Sequence, residues 1–179
     1  TSDIVTDALT AFGLKASDSG HFADVLAQAS ANANTNVGML GESFKYVAPV
    51  AGAMNYSVED TSLALGLMAN SSIKGSMAGT ALKTSLANMA APTDKMAEAM
   101  EQYGVSLTDG SGNMKTLKGV MDNLRSSLGG LSETEQTAAA STIFGKEAMA
   151  GMLAIINAGE EDYNNLSNAI YNANDAAEE

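Results

Sequence analysis

The sequence predicts an all-α (mainly α) fold, a compact domain of about 8–10 short helices. Small and flexible side chains dominate the 179 residues, with 31 Ala, 17 Gly and 11 Met, whereas only 5% are aromatic. No long stretch is enriched in the β-branched and aromatic residues that strands favour. Apolar residues recur at the three- and four-residue spacing of amphipathic helices, between cap and stop signals. At this length we expect one domain, residues 1–179.

The predicted helices of the N-terminal half begin at small polar caps and end at Gly, Asn or Pro. They are a helix of about 3–12 between Ser2 and Gly13, one from Ser17 to the Asn-rich turn 32–34, one of about 37–54, one from the cap Ser57 to Asn70, and one of about 75–90 stopped by Pro92. Pro49 lies inside the third helix, where it removes a backbone N–H and crowds the preceding turn. We therefore predict a kink or break after Ala48.

Residues 105–115 depart from the helical pattern. A helix capped by Thr93 and ending at Tyr103-Gly104 comes before them. Asp109-Gly110 then lies between two short alternating runs, which is a hairpin signal because such a turn needs residues that tolerate positive φ. We predict one small two-stranded β-hairpin here.

Four further helical segments follow the predicted hairpin. They are a helix of about 117–128 capped by Thr116 and closed by Gly129, one opened by the capping box of Ser132 and Glu135, one bearing Met149, Met152, Leu153 and Ile156 with Gly159 as its stop, and one of about 160–174. Residues 160–179 carry six acids and no base: Glu160, Glu161, Asp162, Asp175, Glu178 and Glu179. We interpret this segment as an acidic C-terminal helix and solvated tail, with an acidic docking tail as the alternative.

Two stretches suggest an internal repeat of a helix pair at an offset of 41 residues. Six positions match: Asp18, Phe22, Ala23, Leu26, Ser30 and Gly38 fall on Glu59, Leu63, Ala64, Leu67, Ser71 and Gly79. A duplicated unit would give this pattern, but Ala-rich amphipathic helices also resemble one another without common origin. Both interpretations stay open.

Charge and composition exclude several functional classes. The formal net charge is −12, so the field of the chain repels phosphate and disfavours a nucleic-acid grip. The absence of Cys excludes thiol catalysis, disulfides and zinc sites built on Cys. No secretory signal opens the chain, and no apolar run is long enough to span a bilayer. Since the chain starts at Thr1 and ends at Glu179, we expect a fragment of a much longer protein.

A catalytic constellation is not evident. His21 is the single imidazole, and Asp24, three residues later, could orient it, but no nucleophile accompanies them and a surface His is the simpler interpretation. In the stretch from Gly75 to Gly79, Ser76 is misplaced for a nucleophile elbow. Two glycines four residues apart are more typical of close helix packing.

Two further motifs fail as ligand sites. Asp109, Ser111 and Asn113 alternate like the start of a calcium loop, but Met114 and Val120 stand where that loop requires Gly and Glu, so we interpret them as a turn. The segment from Gly145 to Glu147 lacks the spacing and hydroxyl of a phosphate-binding loop. We assign no catalytic, cofactor-binding or metal site, predict no cofactor and no specific nucleic-acid binding, and predict that the protein is not an enzyme.

Four stretches together resemble the core region of phage tail tape measure proteins. They are residues 45–51 (KYVAPVA), 73–82 (IKGSMAGTAL), 109–115 (DGSGNMK) and 143–149 (IFGKEAM), and the similarity extends over about residues 8–172. The resemblance implies a structural module of a long-tailed phage or prophage, with a role in tail assembly, tail length determination and genome ejection. It implies the tail tube protein, assembly chaperones and tail tip proteins as partners, and a location in the tail lumen after assembly in the host cytoplasm.

The sequence departs from the family in one respect, because stops at Gly13, Pro92, Gly104, Gly129 and Gly159 interrupt the long helix of an extended ruler. We therefore interpret the chain as a compact module. Two alternatives remain. Ala-, Gly- and Met-rich helices could make a membrane-active domain that inserts into the host envelope, although basic residues are few. A cell-wall hydrolase module is the other, and the missing acid–base pair disfavours it.

Overall fold

The computed structural model of the protein describes residues 8–173 and confirms the mainly helical fold. Within this range, helical residues 8–11 and a short 3₁₀ turn, Ala16–Asp18, are followed by nine α-helices. These are α1 (Ser19–Asn32), α2 (Val37–Ala53), α3 (Val58–Asn70), α4 (Gly75–Ala90), α5 (Asp94–Tyr103), α6 (Leu117–Leu128), α7 (Glu133–Phe144), α8 (Met149–Ile156) and α9 (Glu160–Tyr171). Of the predicted termini, Ser2, Asp3, Asn174 and the tail acids Asp175, Glu178 and Glu179 lie outside the described residues.

Four helices start at their predicted caps, whereas the helix predicted from Ser17 begins at Ser19, after the 3₁₀ turn. Four capping hydroxyls each accept a hydrogen bond from the backbone N–H three residues later: Ser57 from Asp60 (3.0 Å), Thr93 from Met96 (3.3 Å), Thr116 from Gly119 (3.0 Å) and Ser132 from Glu135 (3.2 Å). Gly104 ends α5 in the left-handed conformation, with φ of 72°. These bonds satisfy backbone groups that a helix leaves unpaired at its ends, which is why the boundaries agree with the sequence.

The predicted break at Pro49 does not occur, because α2 continues through the proline to Ala53. Val47, Ala48 and Ala51 are fully buried on both sides of it. An interior proline costs a helix about 3 kcal/mol. Burying Val47 returns about 1.5–3 kcal/mol and the buried Ala48 and Ala51 add to it, so the packing of the whole segment offsets the lost backbone bond.

The predicted β-hairpin at residues 105–115 is wrong. The described residues form no strand there, only an isolated antiparallel bridge between Thr108 and Met114. Asp109 Oδ1 accepts hydrogen bonds from the N–H groups of Ser111 (2.8 Å) and Asn113 (3.1 Å), which closes a tight turn. The N–H of Ser106 bonds instead to Asn123 Oδ1 of α6 at 3.0 Å, so the ladder ends after one bridge.

The first four helices form two helical hairpins, α1–α2 and α3–α4, packed side by side. His21 Nε2 lies 3.2 Å from Glu59 Oε1 at the starts of α1 and α3. The N–H of Asn34 donates to Asn70 Oδ1 at their ends, at 2.8 Å. Because corresponding ends meet, α1 and α3 run parallel, and α2 and α4 leave them from the same end of the molecule.

The two hairpins match in a register of 38 residues, the separation of His21 and Glu59. The buried positions of α1 at 22, 25, 26 and 29 then fall on buried positions 60, 63, 64 and 67 of α3. The predicted offset of 41 differs by three residues, about one helical turn, which places apolar residues on nearly the same face. That the two hairpins arose by duplication remains a hypothesis.

Small residues set the distance between these helices. A Cβ built on Gly79 of α4 would overlap the carbonyl oxygen of Ser43 in α2. A Cβ on Gly66 of α3 would lie 2.8 Å from the Leu166 side chain of α9. The hydroxyl of Ser43, buried beside Gly79, donates to the carbonyl of Gly75 at 2.6 Å. The close helix approach that the glycines of α4 predicted is therefore present at Gly79.

Candidate interaction surface

A shallow apolar groove lies between α4 and the turn that joins α7 to α8. Its cavity measures about 260 Å³. The walls are mainly small and hydroxyl-bearing side chains, among them Ser76, Met77, Thr80 and Thr84 of α4 and Glu147 and Ala148 of the turn. Two of the four stretches that carry the family resemblance, residues 73–82 and 143–149, thus meet at one surface.

Local contacts fix the position of the turn. Asn88 Nδ2 of α4 donates to the carbonyl of Phe144, the last residue of α7, at 3.0 Å. Gly145 follows with φ of 89°, a conformation that favours glycine and that turns the chain toward α8. Ala148 is buried, and a Cβ on Gly151 of α8 would lie 2.8 Å from Ala81 of α4. The groove is therefore bounded by firmly packed backbone on both sides.

Met77 stands at the edge of the groove with 68% of its surface exposed, more than any other large apolar residue in the described range. Val37 and Met39, in the first turn of α2, are also exposed. α2 and α4 begin at the same end of the molecule, and the Ser43 hydroxyl joins them there. Flexible methionine side chains on a surface are suited to contact with another protein.

Apart from the groove, a polar contact joins α3, α6 and α9 through Asp60, whose side chain is buried. One carboxylate oxygen accepts from the backbone N–H of Lys118 in the first turn of α6, at 3.0 Å, and the other accepts from the hydroxyl of Tyr171. Burial raises the pKa of Asp60, and the bond from Lys118 opposes that shift. The carboxylate thus caps α6 from a distant helix, where the helix dipole favours negative charge.

The side chain of Tyr163 from α9 forms the other half of this polar contact. Its hydroxyl donates to Asp122 Oδ1 of α6 at 2.6 Å, and the Arg125 guanidinium lies 4.3 Å from its ring centre. Arg125 also donates to the carbonyls of Ile155 (2.8 Å) and Ala158 (2.9 Å) at the end of α8. Burial raises the pKa of Tyr163, with the Asp122 carboxylate as a further cause. We call the contacts of Asp60 and Asp122 with α9, together with Arg125, the clasp.

His21 does not pair with Asp24, the residue that the sequence put forward. Its Nε2 contacts Glu59 of α3 instead, beside a cavity of about 280 Å³ that Tyr56 also lines. Burial raises the pKa of Tyr56 to about 12, so this hydroxyl stays neutral. The contact joins two helices at the protein surface, and it gives the imidazole a structural partner.

The other residues that the sequence analysis considered as ligand sites lie in turns. Asp109, Ser111 and Asn113 form the tight turn described above, and within residues 8–173 no group of three or more His, Asp or Glu side chains is placed to hold a metal ion. Gly145, Lys146 and Glu147 lie in the turn that walls the groove. Over the same described range, no helix combines the length and the apolar character needed to cross a bilayer.

Comparisons with known proteins agree on one family. A family model described as phage-related minor tail protein matches residues 1–145. The tape measure protein of Pneumococcus phage Dp-1 is 40% identical over 179 residues, which is 100% of this chain and 16% of that protein. The probable tape measure protein of Escherichia phage P2 is 28% identical over 168 residues, 93% of this chain and 21% of that protein. No solved structure matches. The chain thus spans about a fifth or less of the length of these relatives.

Proposed function

Because the chain belongs to the phage-related minor tail protein family, we propose that it is a folded module of a tape measure protein, with a role in tail assembly and tail length determination. The resemblance that four sequence stretches predicted is confirmed by relatives named tape measure proteins. The observation that carries the proposal is the match to such a protein over the whole chain, at 40% identity.

The fold is that of a compact module rather than of an extended ruler. The longest helix within residues 8–173, α2, has 17 residues, about 26 Å at 1.5 Å per residue. As one extended helix, the 179 residues would measure about 270 Å. A module built from short packed helices cannot set length in proportion to its residue number. We assign it instead to the contacts that the tape measure makes during assembly, as a single domain of residues 1–179 with the acidic segment 160–179 at its end.

The proposal places the module in the phage tail lumen, after assembly in the host cytoplasm, with the tail tube protein, assembly chaperones and tail tip proteins as candidate partners. Its net charge of −12 supports a lumenal position, because an acidic surface does not retain passing DNA during ejection. We propose a structural rather than a catalytic role, since the relatives are named tape measure proteins and the His21 imidazole contacts the Glu59 carboxylate between two helices.

An in-frame deletion in a phage that encodes this module tests the proposal. Removal of residues 8–173 should reduce the yield of complete tails, because an assembly contact is lost. Tails that still form should not be shorter by about 250 Å, the length of these 166 residues as one extended helix. Electron microscopy of purified particles measures both quantities.

A point substitution gives the matched control for the deletion. Gly79→Ala, which forces α2 and α4 apart, should lower tail yield as the deletion does, whereas Gly20→Ala at an open helical position should leave it unchanged. Normal yield and normal length after deletion would refute the structural role. Tails shortened by about 250 Å would refute the assignment to assembly contacts and favour a ruler.

A further inference from the structure

The cavity beside His21 is lined by two side chains that each carry an unpaired polar atom. It measures about 280 Å³ and lies where the residues before α1 meet the first turn of α1 and the link from α2 to α3. Five buried side-chain atoms in residues 8–173 have no hydrogen-bond partner, and two of them belong to this lining: Nδ1 of His21 and the hydroxyl of Tyr56. Tyr56 is only 4% exposed. Buried polar groups are nearly always paired in folded proteins, so these two atoms mark the cavity as a candidate binding site.

Both unpaired atoms can accept a hydrogen bond. His21 Nε2 lies 3.2 Å from Glu59 Oε1, and a carboxylate only accepts, so Nε2 carries the proton of the neutral imidazole. Nδ1 then presents a lone pair. Burial raises the pKa of Tyr56 to about 12, so its hydroxyl stays protonated and also offers a lone pair. The polar atoms therefore favour a ligand that donates hydrogen bonds.

The charged side chains of the lining favour a positive ligand. They are Asp18, Glu59 and the imidazole of His21, and neither Lys nor Arg is among the lining residues. The ion pairs in residues 8–173 join His21 to Glu59 and Lys118 to Asp122, so Asp18 has no cationic partner there. The rest of the wall is largely apolar, from Phe12, Leu14 and Val58.

We propose that this cavity binds a primary ammonium group at the end of a short alkyl chain. The three N–H donors of the ammonium would bond to His21 Nδ1, the Tyr56 hydroxyl and the Asp18 carboxylate, and the methylene groups would contact the apolar wall. A carboxylate or phosphate fits less well, because Asp18 and Glu59 would repel it. A free alkylamine and the Lys side chain of another protein both present this group. The proposal does not depend on the role in tail assembly.

The probe is pentylamine, added to the full chain at about pH 8, where an ordinary imidazole is neutral and an alkylamine is charged. Because His21 is the single His, the imidazole nitrogen resonances of the ¹⁵N-labelled protein report this site alone. We expect the Nδ1 resonance to move to a limiting value as pentylamine is added. Tyr56→Phe and Asp18→Asn should each weaken binding about tenfold, since each removes one acceptor of the ammonium group.

Tyr46→Phe and Asp24→Asn are the matched controls, because they remove the same chemical groups from residues outside the lining. Both should leave the affinity unchanged. 1-Pentanol, which has the same alkyl chain without the charge, should bind at least about tenfold more weakly. Circular dichroism checks that each variant is folded, and Tyr56→Phe should be, because the hydroxyl that it removes bonds to no described residue.

Three results would overturn the proposal: no saturable shift of Nδ1, equal binding of 1-pentanol, or equal losses in the control variants. A second measurement separates the two sources of the ammonium group. N-acetyl-lysine methylamide presents it from a protein backbone. Tighter binding of this compound than of pentylamine would support the site with a Lys of another protein as ligand, and tighter binding of pentylamine would support it with a free amine.

Discussion

The two halves of the molecule are held together by different interactions. Helices α1–α4 pack through apolar side chains and glycine, with α2 and α4 so close that Gly79 has no room for a Cβ. Helices α6, α8 and α9 are also joined to one another and to α3 by the clasp, in which Asp60, Asp122 and Arg125 bond to groups on other helices. Both halves share one apolar core, and the clasp adds charged hydrogen bonds of defined geometry to the second half.

Because of this difference, we expect the stability of the two halves to respond to different changes in sequence and conditions. Close packing loses stability when a methyl group is added, and changes little with pH or salt. The charged hydrogen bonds of the clasp respond to the exact shape of the donor, and the buried Asp60 carboxylate responds to pH, because a buried charge is costly. Four sets of substitutions separate the two behaviours, beginning with the largest expected loss of stability.

Gly79→Ala should lower the free energy of unfolding by about 3 kcal/mol or more, since the new methyl group meets the backbone of Ser43, which cannot move aside as a side chain can. Urea unfolding measures the change. Gly20→Ala at an exposed position in the first turn of α1 is the control and should raise stability by about 0.4–1 kcal/mol. Equal effects at the two glycines would contradict close packing of α2 against α4.

Arg125→Met should cost about 2–3 kcal/mol, because it removes the donors to Ile155 and Ala158 and the cation over the Tyr163 ring. Arg125→Lys keeps the charge but not the planar fork, so we expect it to recover less than half of the loss. Chemical denaturation of both variants decides this point. Full recovery by Lys would show that charge alone matters here.

Two hydroxyl deletions compare polar bonds across the halves. Tyr163→Phe removes a bond to a carboxylate and should cost about 2 kcal/mol, and Ser43→Ala removes a bond to a carbonyl and should cost about 1 kcal/mol. Thermal unfolding at equal protein concentration gives the difference. A larger loss of stability in Ser43→Ala than in Tyr163→Phe would contradict the stronger contribution of hydrogen bonds to charged groups in the second half.

Asp60→Asn should change how the free energy of unfolding varies with pH more than it changes that free energy at any one pH. Burial raises the pKa of Asp60 above its ordinary value of 3.8, so the folded chain binds this proton more tightly than the unfolded chain. The cost of ionisation is present above the folded pKa and disappears as the pH falls through it toward 3.8.

Wild-type protein should therefore gain more stability than Asp60→Asn as the pH falls from about 7 to about 4. Urea unfolding over this range measures the two slopes, with Asp24→Asn as a control that should follow the wild type. If the slope of Asp60→Asn matched that of the wild type, Asp60 would not be the source of the dependence.

Much of the helical order could be predicted because its signals are local. The caps at Ser57, Thr93, Thr116 and Ser132 act within three residues, so sequence alone determines where those helices begin. Pro49 and the residues of the predicted hairpin are different. Burial of Val47 and Ala51 carries α2 through the proline, and the bond from Ser106 to Asn123 stops the ladder. Both effects come from residues on other helices.

The candidate surface was beyond prediction for the same reason. The two walls of the groove, α4 and the turn at Glu147, are far apart in sequence, and no spacing rule brings them together. Likewise His21 contacts Glu59, 38 residues away, rather than its neighbour Asp24.

Because of the placement of α9, we expect the two ends of the molecule to differ in their resistance to a pulling force. α9 lies across α1 and α3 and is held by the Tyr163 and Tyr171 hydroxyls near its own ends. A force applied from the C-terminal side loads these bonds one after another, so we expect α9 to peel away first. The parallel helices α2 and α4 share a contact along their length and must slide past one another to separate. Tension would therefore unfold the chain in a fixed order, beginning at the clasp.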